Sequence, residues 1–358
     1  MTYSDKYLAF MGMGPKRIPH WEHWSDPDAE SYLTGIDYFA HPRLCRQKLA
    51  ELYPQLELGI PESDDPIEIP KDDVGSHTVR WGSGQTATWE HGNMFKDEDD
   101  VFAFSPLEFG DFSGIPSVVE AYDFSSYEAV EERYKKWFGE ENFGKPAPEG
   151  SVASVGFYNT TFMWPLLTFG WDLFLQTCLD ERFERIMDEF AEINRRVFRV
   201  FAKLPVNFVV CHDDIVNSRG PICSPEWMNK YVFPRYEEYW SMVKAAGKRV
   251  IFMVDGNVDR YADDIFACGA SGIISEPYTD YKAIAKKHKD CFLAGEGDNR
   301  ILSTNDRSLI YKMVDGMLET AALTGGYMMC IGNHIPWNVP GEGIKYYLDY
   351  SAEKAVRS

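Results

Sequence analysis

Five short, largely apolar runs in the second half of the chain stop at side chains able to carry a proton or hold a metal ion. Val206–Cys211 stops at His212-Asp213-Asp214, and Arg249–Val254 at Asp255. Gly272–Ser275 stops at Glu276, Cys291–Ala294 at Gly295-Glu296-Gly297-Asp298, and Tyr327–Ile331 at Gly332-Asn333-His334. Ionisable groups are seldom fully buried unless paired or metal-bound. Carboxylates gathered in one pocket raise one another's pKa or recruit a cation. Two chemistries therefore stand open: acid–base catalysis, or a metal centre in which oxygen and imidazole ligands on separate strands hold Zn²⁺ with a vacant position. Neither an HxxxH nor an HxC spacing chooses between them.

Each residue also has a structural use. Asp214, Asn257 and Asp298 follow strand-like runs where carboxylates and amides cap helices. Asp255 and Glu276 follow strongly apolar runs and precede Gly or Pro, which points to the rim. Glu296 lies between glycines that would leave backbone room for a ligand. His212 divides evenly between packing and function, whereas His334 belongs with the strand-end set. His41, His77, His91 and His288 read as loop histidines.

The elements that must position these groups alternate strand and helix. Short continuous apolar strands suit a parallel sheet covered on both faces. Ser224 before Pro225 and Glu226 marks a helix start, with Ser at the N-cap. Further helices are expected to about Cys268, to His288 and over Asn305–Thr324. In the first half, Arg17–Trp24 reads as a first strand whose polar residues include His20 and Glu22. Helix is expected over Asp28–Leu52, a strand over Ser151–Phe157, and a long helical region to Lys203 after Asn159-Thr160-Thr161. The alternating segments His77–Trp81 and Gln85–Trp89 flank Gly-Ser-Gly, a hairpin pattern. The expectation is an α/β fold, a (β/α)8 TIM barrel forming one domain over 1–358. Residues 55–115 would be an insertion over the barrel mouth that contains the β-hairpin. Catalytic groups of such barrels come from the C-terminal ends of different strands. Trp21, Trp24, Trp81, Trp89, Trp164 and Trp337 lie near presumed loops, as packing or as walls of an aromatic pocket.

Composition narrows the partners. A net charge of −20 over 358 residues argues against nucleic acid, which needs clustered Lys and Arg. The acidity serves solubility or a docking face for a basic protein. No apolar run reaches the roughly 18–20 residues that span a bilayer, and Met1–Gly14 lacks a signal-peptide pattern. Seven cysteines, scattered singly, fit reduced thiols and a cytoplasmic location.

The block Asp213-Asp214-Ile215, then Ser224-Pro225-Glu226-Trp227 with Pro234, then Gly247–Ile251, resembles the uroporphyrinogen decarboxylase superfamily. Gly295–Asp298, Gly332–Pro336 through Val339-Pro340, and Asn159–Pro165 leading to Gly170 share the resemblance, which runs over about 150–352. One branch decarboxylates porphyrinogens and holds their carboxylates with an Arg-rich N-terminal segment. Here Pro15–Trp24 supplies only Lys16 and Arg17, so that activity is disfavoured. The other branch, to which the chain is closer, transfers methyl groups to or from a corrinoid carried by a small protein. Its coenzyme M members bind zinc through His-x-Cys and a later Cys. The corresponding positions read Met253-Val254-Asp255 and Asn333, so a thiol acceptor is not expected.

The resemblance thus implies an O-demethylase-like methyltransferase that moves a methyl group from a small donor, best an aryl methyl ether, to the cobalamin of a corrinoid protein. Glu276, Glu296 and His334 would ligate a zinc ion or donate a proton, and Asp255 would orient them or serve as a further ligand. His20, Glu22, Asn159, His212, Asp213 and Asn333 would bind substrate. The alternatives are a cofactor-independent decarboxylase or lyase acting on a small acid, and a barrel that binds without catalysis.

Overall fold

The uncharged runs around Val155 and Val209 and the run around Ile251 form parallel strands in the computed structural model. It describes residues 3–68, 78–80, 86–88, 94–115, 118 and 122–356. The chain divides into two units, Trp89–Ile273 and Met1–Thr88 with Ile274–Ser358. The fold class is the expected one: α/β, with parallel strands joined by helices in the manner of a (β/α)8 barrel. The hairpin pairs Thr78–Arg80 with Thr86–Thr88 antiparallel. Its turn, together with His77, Trp81, Trp89 and His91, lies outside the described residues.

Within Trp89–Ile273, Ser154–Phe157 pairs in parallel with Phe208–His212, which pairs in parallel with Arg249–Met253. The register sets Phe157 opposite Cys211 and Cys211 opposite Phe252, so all three strands finish at one level. Phe183–Phe201 covers them with Ile186, Phe190, Ile193, Val197 and Phe201, buried at the three- and four-residue spacing of one helix face. Trp164 stacks on Phe190 at 5.2 Å and meets Phe124 edge-on at 5.1 Å. Each such buried ring contributes roughly 1.5–3 kcal/mol. Ser224 caps Pro225–Tyr231 by accepting from the Trp227 amide at 3.3 Å. Ser224→Ala is expected to lower stability by about 1 kcal/mol, read as a lower urea midpoint with an unchanged slope.

In the other unit, Phe292–Ala294 pairs in parallel with Gly326–Met328, and Trp24–Ser25 with Ile335–Pro336. The expected first strand is shorter than its pattern. Pro19 has no N–H to give, and before Trp24 the segment makes only isolated bridges, His20 with Met329 among them. The helix expected over Asp28–Leu52 is two helices, Pro27–Thr34 and Pro42–Leu52. Gly35, at φ 72°, ends the first in the left-handed conformation, and Pro42 starts the second. The region to Lys203 likewise divides into Met163–Thr177, interrupted at Gly170, and Phe183–Phe201. No described helix is long and apolar enough to cross a membrane, and all seven cysteines are free thiols.

Candidate active site

The shared register of the three strands brings Tyr158, His212, Asp214 and Asp255 together in Trp89–Ile273. His212 and Asp214 are two residues apart in extended chain and therefore project to the same side. His212 Nε2 lies 2.9 Å from Asp214 Oδ1, and the backbone N–H of Asp255 donates to that oxygen at 2.9 Å. The Tyr158 ring packs 4.1 Å from the His212 ring, and its hydroxyl donates to Asp214 Oδ2 at 3.5 Å. One ligand atom from each of His212, Asp214 and Asp255 lies within 4.8 Å of the other two, and all three residues are half-buried. Burial pulls the His212 pKa down, but the Asp214, Asp255 and Asp213 carboxylates outweigh it and raise it above 6.5. Asp214, read in the sequence as a possible helix cap, is instead the centre of this group. Asn257 accepts from the Asp259 amide at 2.9 Å through its side chain, and its own amide donates to Asn217 O at 2.9 Å.

Asp213 points the other way. It is fully buried and accepts from the Phe162 and Met163 amides at 2.8 and 2.7 Å and from the Tyr236 hydroxyl at 2.5 Å. Burial pushes its pKa up to about 7 against the pull of those three donors. The Phe162 and Met163 amides belong to the turn that follows Asn159. Asn194 holds the same turn from the helix side, donating to Thr160 O while accepting from Trp164 Nε1 at 2.7 Å. Asn159 itself is fully buried. Asp213 thus sets the turn after Tyr158 and Asn159, one residue from the His212 cluster.

The remaining sequence candidates lie in the other unit. Glu22 is a buried hub: Oε1 meets His20 Nε2 and the Tyr347 hydroxyl, each at 2.7 Å, and Oε2 accepts from the Ile331 amide at 3.0 Å. Glu296 is occupied at both oxygens, by Thr320 Oγ1 at 2.8 Å and the Tyr327 hydroxyl at 2.6 Å, and burial raises its pKa. The glycines beside it make room for backbone. A Cβ on Gly295 would stand 1.9 Å from Ser275 O, and one on Gly297 would stand 2.5 Å from the Ile331 side chain. Asp298 caps Asn299–Leu302 and pairs with Arg300 at 2.7 Å. His334 Nδ1 meets Asn333 Oδ1 at 2.6 Å, with Asn333 at φ 65°. The His334 ring lies 5.5 Å from His23, which stacks on exposed Trp21 at 6.3 Å. Burial, then the neighbouring His23, lowers the His334 pKa.

Among the described residues, the three-ligand group is therefore His212, Asp214 and Asp255, and Glu276, Glu296 and His334 form no such group. Arg17, one of the two basic residues of the N-terminal segment, donates to Ala352 O at 2.5 Å. Sequence reading missed Tyr158, Tyr347 and His23. Two-residue spacing in the sequence pairs His212 with Asp214 and His20 with Glu22, but it marks neither Tyr158 nor Tyr347.

A family model described as Uroporphyrinogen decarboxylase (URO-D) matches residues 173–353. Among solved structures, a methyltransferase from Methanosarcina mazei matches with a TM-score of 0.55 at 14% identity, covering 98% of this chain and 99% of that one. That likeness is one of fold. A sugar phosphate isomerase/epimerase from Parabacteroides distasonis matches with a TM-score of 0.33 at 14% identity, covering 63% of this chain and 77% of that one. No curated protein matches.

Proposed function

Because the chain belongs to the uroporphyrinogen decarboxylase family, whose model spans more than half of it, we propose that it is a methyltransferase. It moves a methyl group from a small donor, an aryl methyl ether, to the cobalt of a corrinoid protein. The observation that carries this reading is the half-buried group His212, Asp214 and Asp255 beside Tyr158, placed where three parallel strands end. The full-length likeness to a methyltransferase fold supports it.

The corrinoid supplies the nucleophile that accepts the methyl group. What this chain supplies follows from the bond that breaks. The methyl–oxygen bond gives both electrons to oxygen, and the aryloxide needs a proton or a positive charge as it forms. His212, with its raised pKa, holds a proton at Nε2 or Nδ1, and Asp214 fixes the ring. Tyr158 shields one face of that imidazole. In the other unit, Trp21, His23, Asn333 and His334 form a group of their own. His334, its pKa lowered, accepts rather than donates a proton near neutrality. His20 and Glu22 brace this segment, and Glu296 braces Thr320 and Tyr327.

The test is the conversion of cob(I)alamin to methylcobalamin, followed by its spectrum, with methoxylated aromatics as donors. One phenol released per methyl group transferred is expected. His212→Ala and Asp255→Ala are each expected to slow conversion by at least about 100-fold. Absence of methylcobalamin with every methyl donor tried, O-, N- or S-linked, would sink the reading.

A further inference from the structure

We propose that His212, Asp214 and Asp255 form a mononuclear site for a zinc-class divalent cation, with Tyr158 as its outer-shell partner. Imidazole nitrogen and carboxylate oxygen are donors that zinc and its neighbouring transition ions accept, whereas Mg²⁺ and Ca²⁺ prefer oxygen alone. Ligands of a tetrahedral zinc stand about 3.3 Å apart at bonds of about 2.0–2.1 Å. The three ligand atoms lie within 4.8 Å of one another, and the His212–Asp214 pair, at 2.9 Å, has only to open slightly to reach that spacing. They come from the ends of two neighbouring strands, Phe208–His212 and Arg249–Met253, so the backbone register sets their separation.

The side chains are neither sealed nor loose. His212 and Asp214 retain 13% and 21% of their side-chain exposure, enough for an ion to enter and keep a coordination position open. Three protein ligands with one vacant position is the composition of a catalytic zinc site rather than a structural one. The surroundings hold the ligands as outer-shell groups do. The Asp255 amide and the Tyr158 hydroxyl both donate to Asp214, and the Tyr158 ring fixes the plane of His212. An ion there would replace the His212–Asp214 contact and the ionising proton of His212, so that its double positive charge, among two carboxylates and a neutral imidazole, would take over the charge-offsetting role of that proton. The site shares no ligand with a set built on Glu276, Glu296 and His334, and Glu296 already spends both oxygens on Thr320 and Tyr327.

This inference does not depend on the methyl-transfer reading, because the cation is measured without corrinoid or donor. Chelator-treated full-length protein is titrated with Zn²⁺ by calorimetry and with Co²⁺ by visible absorption. One ion per chain is expected, with intense cobalt bands of a four-coordinate centre. His212→Ala and Asp255→Asn should each weaken binding at least about 100-fold, and Tyr158→Phe about 10-fold. Asp298→Asn, a carboxylate engaged in its own helix cap, should leave the affinity unchanged. Zinc should also raise the melting temperature of the parent protein and not of the variants. Asp255→Asn keeps size and shape, so it serves if His212→Ala does not fold. No saturable binding, or equal binding in Asp255→Asn and parent, overturns the site. Binding of zinc without methyl transfer would retain the site and reject the reaction.

Discussion

Asp213→Ala is expected to lose roughly 3–5 kcal/mol of folding stability, because it strands three buried hydrogen-bond donors at once. The carboxylate is fully buried and satisfies the Phe162 and Met163 amides and the Tyr236 hydroxyl. Alanine leaves all three donors without an acceptor in a place water does not reach. Each stranded donor costs roughly 1–3 kcal/mol, reduced by whatever relaxation the turn allows. Urea unfolding checks it as a fall in midpoint at constant slope. A loss below about 1 kcal/mol would mean that the turn finds other acceptors and that Asp213 does not position it.

The same residue makes a pH prediction with a definite sign. Burial raises the Asp213 pKa in the fold to about 7, from the ordinary 3.8. Below about pH 4 both folded and unfolded chains carry the proton, so nothing is lost. Between about 4 and 7 the unfolded chain releases the proton while the fold keeps it, and stability falls as pH rises. Above 7 the loss is constant. Asp213→Asn cannot titrate, so its stability relative to the parent should improve from pH 4 to 7 and then level off. Unfolding midpoints of the two proteins measured across this range decide it. The opposite slope would show an ionised Asp213 stabilised by its three donors.

What was legible in the sequence follows from which forces are local. Uncharged runs such as Val206–Cys211 declare buried parallel strands because no charged side chain interrupts them. Ser224-Pro225-Glu226 declares a helix start because capping is a contact three residues long. Strand ends are equally local, so the sequence puts His212 and Asp255 at strand ends, where the structure has them. Which way a strand-end carboxylate turns is decided by other segments. Asp213 turns inward only because Tyr236 and the Phe162–Met163 turn bring donors to it, from 23 and about 50 residues away. The glycines around Glu296 read as space for a ligand, but Ser275 and Ile331 fill that space. Pairing at two-residue spacing could have linked His212 to Asp214, whereas nothing near Glu22 announces Tyr347, 325 residues later.

Glu22 carries the corresponding weight in the other unit, and Glu22→Ala should lose roughly 3 kcal/mol or more. Its side chain is fully buried, and it ties three separate stretches of chain. His20 lies on its own segment, Ile331 follows the strand Gly326–Met328, and Tyr347 sits in the helix Gly341–Lys354. Removing the carboxylate strands a backbone N–H, a phenol and an imidazole whose Nδ1 is already buried without a partner. Tyr347→Phe removes one arm and leaves the others, so it should cost about 1 kcal/mol. In the double variant the phenol is no longer stranded, and the two losses should sum to more than the pair together by roughly 0.5–3 kcal/mol. Strict additivity in that cycle would separate Tyr347 from Glu22 and reduce the hub to a local His20–Glu22 pair. A coupled result would make Glu22 the residue that fixes where Trp21 and His23 stand, since they flank it in the chain.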